Sequence, residues 1–219
     1  MGQEVLPEAR LDHDRSHRSV TAAKALIVNA DDFGHSREVN AGVIRAHEQG
    51  IVTSTSLMVQ RPAVEEAAAY ARSRPQLAVG LHVEPGTEVE DQLERFVALV
   101  GRDPTHVDSH KHAHLSEPLL SAVTSVGRRL AVPVRHLDPR MRYLGSFHGE
   151  AVSAANLCAI VRSLGDGITE LGCHPAVGAV PGSSYSVERE QELEALCDQS
   201  VRMALDDAGV ELRSFADVA

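Results

Sequence analysis

The sequence is poor in cysteine and aromatic residues and contains no tryptophan. Its three cysteines, Cys158, Cys173 and Cys197, are odd in number and far apart, so we expect free thiols in a reducing compartment. Phenylalanine and tyrosine make up 3% of the 219 residues, which leaves few platforms on which bases or sugars could stack. No apolar run approaches the roughly 20 residues of a membrane-spanning helix, so we predict no membrane insertion.

Positive charge is also scarce in this chain. Its 21 lysines and arginines are outnumbered by 31 aspartates and glutamates, for a formal net charge of −10. Nucleic acids and anionic membranes attract basic proteins, so this balance predicts neither as a partner. Residues 1–22 lack the apolar stretch of a signal peptide and form a polar leader that we expect to be disordered. Together with free thiols, this leader predicts a cytoplasmic protein.

The remaining residues, 23–219, predict a single domain in which strands and helices alternate. Apolar and β-branched runs predict strands at 25–28, 51–59, 76–83, 105–110, 132–137, 167–174 and 210–215. Helical spacing of apolar residues predicts helices at 36–50, 62–72, 88–100, 116–130, 150–164 and 187–208, with loops at 138–149 and 176–186. This order is typical of a parallel α/β fold, most simply a distorted TIM-like βα barrel of about seven strands.

Two adjacent carboxylates, Asp31 and Asp32, follow the first apolar run in the segment KALIVNADDFG. The carboxyl ends of parallel strands are where such folds place their chemistry. Two acids at close range repel each other unless a cation or a shared proton intervenes, so a metal site is the first hypothesis. The alternative is that one aspartate caps the next helix while the other is solvated.

Histidines recur at other predicted strand ends. His82 ends the third strand, His174 ends the sixth, and the fourth continues into a cluster with His106, Asp108, His110, His112 and His114 at alternate positions. Alternate side chains of an extended strand face one way, but His106 and His110 would lie about 13 Å apart. One ion could therefore bind only one or two of these histidines. The alternative is a histidine-rich, solvated edge.

A carboxylate and two imidazoles from three strand ends would leave coordination positions open, as in catalytic metal sites. Such an ion polarises a carbonyl and activates a water. The second aspartate could then act as a base and a more distant histidine as an acid. This donor set suits Zn²⁺, and a water-rich site would also admit Mg²⁺, so the sequence leaves the metal open.

Taken together, these motifs resemble the YdjC-like carbohydrate deacetylases, which include chitooligosaccharide and hopanoid-associated deacetylases. The resemblance rests on NADDFG (29–34), IVTSTSLMV (51–59), GLH (80–82), PTHVDSHKHAH (104–114) and CHP (173–175), and extends from about Ala25 to the C-terminus. It implies a βα-barrel-like fold, one divalent ion (Mg²⁺ or Zn²⁺) and hydrolysis of N-acetyl groups on an amino sugar or glycoconjugate.

The resemblance also implies roles for individual residues. It implies that Asp32, His82 and His110 bind the metal. Asp31 would be the base that deprotonates the metal-bound water, and His174 the acid that protonates the departing amine. Arg135 would orient Asp31 or bind the substrate, whereas His112 and His114 would lie around the mouth of the site.

The sequence departs from the family pattern in one region. Only 23 residues separate His82 from His106, and the loop after His82 is short and acidic. A more open cleft would suit an N-acyl sugar other than a chitooligosaccharide. The sequence leaves a homo-oligomer open, because no heptad pattern appears.

Three other functions compete with deacetylation. A metal-dependent phosphoester hydrolase would need more cationic lining than Arg135, Arg140 and Arg142 offer. A non-catalytic sugar-binding relative is the second alternative. A thiol amidase using Cys173 is the third, but strand alternation would place Cys173 and His174 on opposite faces.

Overall fold

The computed structural model describes residues 23–218, so the predicted disorder of residues 1–22 lies outside the described residues. The strands are β1 (Lys24–Phe33), β2 (Ser54–Leu57), β3 (Ala78–Val83), β4 (Val107–Ser109), β5 (Met141–Leu144), β6 (Gly167–Cys173) and β7 (Val210–Arg213). The α-helices are α1 (Arg37–Glu48), α2 (Val64–Ser73), α3 (Val89–Val100), α4 (Leu119–Leu130), α5 (Ala154–Ser163), α6 (Ser186–Cys197) and α7 (Gln199–Ala208). In this part of the chain, no helix combines the length and apolarity that crossing a membrane requires.

All strand pairs are parallel, and β1 lies at the centre of the sheet. The strand order is β4-β3-β2-β1-β6-β5, and β7 pairs with β1 as well. One edge of β1 pairs with β6, whereas the other pairs with β7 over its first residues and with β2 from Asn29 onward. Within residues 23–218 no strand pair joins the β4 edge to β5, so the barrel is open there. The predicted parallel βα barrel is confirmed.

The barrel core explains why β1 is buried along almost all of its length. Leu26, Val28 and Ala30 belong to the large core formed with the helices. Ile27 belongs instead to a small cluster with Phe215 and other residues near the amino ends of the strands. Because successive side chains of a strand point to opposite faces, β1 needs apolar residues on both sides of this amino-terminal half.

The prediction of a fifth strand at 132–137 is wrong. That segment contributes one isolated parallel bridge, from Val134 to Val107. Pro133 cannot donate a ladder hydrogen bond, and His136 has a left-handed φ of 66° that ends the extended backbone. The fifth strand lies in the predicted loop, where Met141–Leu144 pairs with β6.

The single predicted helix at 187–208 is two helices. The chain breaks at Asp198, whose φ and ψ of −70° and 130° are extended rather than helical. Its side chain accepts a hydrogen bond from the backbone N–H of Ser200 at 2.7 Å and so caps α7. The buried face of α6 reaches the carboxyl ends of the strands, where Arg189 contacts Asp32.

Candidate active site

A cavity of about 750 Å³ opens at the carboxyl ends of the strands. Its lining is mostly polar and aromatic, and includes Asp31, Asp32, His35, His82, His110, His112, Tyr143, His148, His174, Tyr185 and Arg189. The ends of five strands, β1, β3, β4, β5 and β6, contribute to this one space, as expected for a parallel α/β fold.

A β-bulge in β1 directs both adjacent carboxylates into the cavity. Ala30 pairs with Thr55, but the next pair is Phe33 with Leu57, so β1 has one residue more than β2 between them. Asp32 has a φ of 67°, in the left-handed region that non-glycine residues rarely adopt. Strand alternation would separate the side chains of Asp31 and Asp32, and the bulge removes that separation.

Three side chains at this end of the barrel could hold a divalent cation. Asp32 Oδ1 lies 3.1 Å from His110 Nδ1 and 3.5 Å from His82 Nε2, and the three donor atoms all lie within 4.8 Å of one another. His82 turns its other nitrogen, Nδ1, to Asp108 Oδ1 at 2.7 Å, which orients Nε2 toward Asp32. One carboxylate and two imidazoles fit the donor preferences of Zn²⁺.

The charge state of Asp32 suits this role. Burial would raise the pKa of its carboxyl group, but hydrogen bonds from His110 and His82 hold that pKa well below its usual range. Arg189 also contacts it, with Nη2 lying 2.6 Å from Oδ2. Oδ2 is therefore engaged by the guanidinium, and Oδ1 faces the two imidazoles.

A second set of possible metal ligands lies beside Asp32, but its carboxylates are already paired with an arginine. Asp31, His82 and Asp108 also present donor atoms within 4.8 Å of one another. However, the guanidinium of Arg135 lies 2.6 Å from Asp31 and 2.9 Å from Asp108. The group around Asp32 is therefore the better place for a metal ion.

Arg135 is buried beneath Asp31. It also pairs with Glu170, with 2.6 Å between Nη2 and Oε1. Burial would raise the pKa of Asp31, but the charge and hydrogen bonds of Arg135 lower it below its ordinary value. Asn29 donates a further hydrogen bond to Asp31 Oδ1 at 2.8 Å. Arg135 is not among the residues that line the cavity, and its guanidinium contacts Asp31 from the buried side.

His174 lies directly after β6 and faces Asp31 across the cavity. Its Nε2 is 3.9 Å from Asp31 Oδ2. Burial alone would lower the pKa of the imidazole, but the nearby carboxylate of Glu192, with the charges of Asp31 and Asp32, raises it above its ordinary value. His174 is therefore disposed to carry a proton.

The histidine cluster does not form the extended strand that was predicted. After β4 the chain turns into a 3₁₀ segment, His110–Leu115, in which Lys111 and His112 have φ values of 53° and 54°. This turn interrupts the alternation, so the histidines point in different directions. His110 points to Asp32, and His112 lines the cavity and contacts His136, with 3.4 Å between Nδ1 and Nε2.

The expected position of His114 at the mouth of the site is wrong. It is fully buried, with Nδ1 2.6 Å from Ser109 Oγ and Nε2 3.0 Å from the backbone oxygen of Arg135. His106 is also buried, and its ring stacks on Phe215 at a centroid distance of 3.7 Å. Both side chains are used in packing the barrel.

Two residues of α6 were missed by the sequence analysis. Arg189 and Glu192 are both buried, and they contact Asp32 and His174, respectively. The signal was present in the spacing, because Arg189, Glu192, Leu193 and Leu196 follow the i, i+3, i+4, i+7 pattern of a buried helix face. Charged residues at two of these positions indicate partners inside the protein.

The thiol of Cys173 does not belong to the cavity. Cys173 is fully buried, and its Sγ lies 3.4 Å from the backbone oxygen of Asn29. Burial raises the pKa of this thiol well above its ordinary value, so it stays protonated. A thiolate nucleophile has no support in this arrangement.

Known proteins resemble this chain in sequence, and solved structures resemble it in fold. The family model described as YdjC-like protein matches residues 25–84 and 86–207. The chain is 32% identical to a carbohydrate deacetylase of Geobacillus stearothermophilus, with 87% of this chain and 96% of that protein covered. It is also 32% identical to a chitooligosaccharide deacetylase of Klebsiella pneumoniae, covering 89% and 99% of the two proteins.

Solved structures agree with the fold. A crystal structure of a proposed cellobiose-phosphate cleavage protein from Enterococcus faecalis superposes with a TM-score of 0.76 at 26% identity, covering 90% of this chain and 100% of that one. A family 4 carbohydrate esterase from Streptomyces lividans, 13% identical, shares the fold with a TM-score of 0.57 over 87% of this chain and 92% of that one. Because the family model matches most of the sequence, the resemblance seen in the motifs is confirmed, and this chain belongs to the YdjC-like protein family.

Proposed function

We propose that this protein is a metal-dependent hydrolase that removes N-acetyl groups from an amino-sugar substrate. One observation carries the proposal: a donor set for a divalent ion lies in the same cavity as a paired acid and base. Asp32, His82 and His110 form the donor set, while Asp31 and His174 face each other beside it at 3.9 Å. The relatives named as carbohydrate and chitooligosaccharide deacetylases support the same reaction.

Asp32, His82 and His110 would hold the ion, either Zn²⁺ or Mg²⁺. When bound, it would polarise the acetamide carbonyl and make water more acidic. Arg189 would occupy Oδ2 of Asp32 and leave Oδ1 for the ion. Three protein donors would leave room for water and substrate.

Asp31 and His174 would move the protons. Asp31, ionised and held by Arg135, would take a proton from the attacking water as the C–O bond forms. His174 would give a proton to the nitrogen as the C–N bond breaks. The products are acetate and the free amine, and one water is consumed.

Although aromatic residues are scarce in the sequence, several aromatic rings line the cavity and could bind a sugar. Two of the three tyrosines, Tyr143 and Tyr185, line the cavity, together with the imidazoles of His112 and His148. Such rings offer flat faces to the C–H groups of a sugar, and their polar edges can bind hydroxyl groups. We expect an N-acetylated sugar or glycoconjugate as the ligand.

A shortened segment would open one side of this cavity. The family match is interrupted at Pro85, between β3 and α3. The alignment with the Geobacillus relative spans 237 positions, more than the 219 residues of this chain, so that relative carries segments that this chain lacks. A larger acceptor, such as a lipid- or nucleotide-linked sugar, would fit an open side.

The three free cysteines support a cytoplasmic location for the reaction.

The second candidate is hydrolysis of a phosphoester. Arg189 and Lys111 line the cavity and add cationic groups that could face a phosphate. Arg189 already pairs with Asp32, however, and two carboxylates face the same space. Deacetylation remains the better match to the charge balance of the cavity.

Acetate release tests the proposal directly. Metal-stripped protein is given Zn²⁺ or Mg²⁺ and incubated with N-acetylglucosamine, N,N′-diacetylchitobiose, and lipid- and nucleotide-linked N-acetylglucosamine. We expect metal-dependent acetate from at least one of these. No acetate from metal-loaded protein, with phosphate released from a sugar phosphate, would instead support the second candidate.

A further inference from the structure

Glu192 is a fully buried carboxylate directed at the proposed acid, His174. Its Oε2 accepts a short hydrogen bond from the backbone N–H of His174. Its Oε1 accepts a hydrogen bond from the Tyr185 hydroxyl at 2.7 Å and lies 3.8 Å from His174 Nδ1. Tyr185 in turn accepts a hydrogen bond from the backbone N–H of Gly149 at 3.0 Å, so two loops are tied to the same carboxylate.

The imidazole of His174 lies between two carboxylates. Its Nδ1 is buried and lacks a hydrogen-bond partner among residues 23–218, with Glu192 as the nearest carboxylate. Its Nε2 lies on the side of Asp31, at the cavity. A small rotation of the ring would bring Nδ1 within hydrogen-bond distance of Oε1. The ring edge that bears Nε2 would stay directed at the reacting groups.

Glu192 needs a counter-ion, and His174 is the one in reach. A buried carboxylate is costly unless it is paired and hydrogen-bonded. In the described structure, His174 is the basic group within ion-pair distance of Glu192. Arg189, three residues earlier on α6, pairs with Asp32 instead.

We propose that Glu192 is the positioning residue for His174. Its carboxylate accepts a hydrogen bond from the Nδ1–H of the ring, so that the protonated Nε2 faces the cavity. The inference rests on the proposed function, because it concerns the group that protonates the leaving nitrogen. Glu192 touches neither the substrate nor the ion and acts through His174. A carboxylate behind an imidazole fixes its tautomer and orientation and stabilises its protonated form.

The groups that face His174 set the sign of the expected effect. They are Asp31 and Asp32 on β1, Arg189 and Glu192 on α6, and the rings of His148 and Tyr185. In Glu192→Gln the side chain keeps its size and one acceptor oxygen but loses its charge. The nearest negative charge behind the ring is then absent, so protonated His174 becomes less stable.

The test is an NMR titration of His174 in the full-length, metal-free protein. We expect the pKa of His174 in Glu192→Gln to fall by about one to two pH units relative to the wild type. The matched control is Glu194→Gln, which removes the same charge from an exposed position of α6 and should leave the titration unchanged. Equal His174 titrations in wild type and Glu192→Gln overturn the proposal.

A second measurement needs no variant and protects the test if Glu192→Gln fails to fold. In the wild type, we expect His174 to titrate above the ordinary imidazole pKa of about 6.5, with Nδ1 carrying hydrogen. A pKa at or below 6.5, or hydrogen on Nε2 alone, also overturns the proposal. Because these readouts require neither metal nor turnover, absence of acetate release would refute the proposed function without affecting this result.

The loaded enzyme then links the pair to chemistry. Glu192→Gln should lower kcat with little change in KM, and the alkaline limb of the pH profile should move to lower pH. Glu192→Asp, which keeps the charge, should recover part of the loss. A variant that lowers activity equally at every pH, with the limb unmoved, contradicts a positioning role.

Discussion

Arg135 and Asp31 form a two-pronged ion pair: Nη1 lies 2.6 Å from Oδ2, and Nη2 lies 2.8 Å from Oδ1. Both side chains are almost wholly buried. A bidentate pair of this kind fixes the direction of a carboxylate as well as its charge. The proposed base is therefore oriented before any substrate arrives, at the expense of some of its basicity.

Replacing the proposed base should stop the reaction but leave the metal bound. We expect Asp31→Asn to lower the rate of acetate release by about 10²- to 10⁴-fold, because general base catalysis typically contributes that much. Metal content should match the wild type, because the proposed ligand set does not include Asp31. Asp207→Asn, at an exposed position of α7, is the control for the charge change. Full activity in Asp31→Asn would remove it from this role.

Metal content distinguishes neighbouring histidines. His110→Ala should lose most of the bound ion and the activity with it, because the variant keeps two of the three donors. His112→Ala should retain the ion, since its Nδ1 faces His136 rather than Asp32. Metal analysis after dialysis and the shift in melting temperature on adding Zn²⁺ check both. The reverse pattern would assign the ligand to His112.

Glu170 should make the fold less stable as pH rises. Burial raises the pKa of its carboxyl group from 4.5 to about 7, despite the neighbouring charge of Arg135. A raised pKa means that its stabilisation is complete below the unfolded-state value of 4.5 and is lost as pH rises through about 7. Between those values, this group should decrease the free energy of unfolding by roughly 1.4 kcal/mol per pH unit.

Urea unfolding of wild type and Glu170→Gln between about pH 5 and pH 8 measures this contribution. The variant lacks the titrating proton, so its stability relative to wild type should improve as pH rises. A stability difference that stays constant across this range would show that Glu170 is ionised throughout.

Gly42→Ala should destabilise the protein although alanine is the better helix former. A Cβ on Gly42 would lie 2.5 Å from the backbone oxygen of Pro175, in the segment that follows His174. Overpacking against backbone typically costs about 1–3 kcal/mol, more than the roughly 1 kcal/mol that alanine gains in a helix. Thermal unfolding measures it, with Gly165→Ala, whose Cβ has ordinary contacts, as the control. Increased stability of Gly42→Ala would contradict the close packing.

Cys173→Ala should have close to wild-type acetate release, because the thiol is buried away from the cavity. A small loss of stability is expected from the space that the sulfur leaves. Loss of activity with unchanged stability and metal content would revive the thiol mechanism.

The convergence of the candidate site could be predicted from the sequence. Short apolar runs that alternate with amphipathic segments indicate parallel strands, and the ends of parallel strands meet at one edge of the barrel. Asp31, Asp32, His82 and His174 each follow or end such a run, and they line one cavity. That much follows from spacing alone.

Other features depend on long-range contacts that local patterns do not contain. The 3₁₀ turn at Lys111 and His112 requires left-handed backbone at two non-glycine residues, which propensity disfavours. The segment 132–137 has the β-branched composition of a strand, yet the ladder with β6 forms at Met141–Leu144. The spacing of Arg189 and Glu192 indicates a buried helix face, but it does not contain the identity of their partners, Asp32 and His174.

One edge of β1 is shared by β2 and β7, so the sheet around β1 cannot be completed until late in synthesis. The first residues of β1 pair there with β7, which ends at Arg213 near the other end of the sequence. While the chain is still emerging from the ribosome, this part of the central strand has an open edge. We expect the nascent chain to remain incompletely folded and exposed to aggregation until β7 has been made.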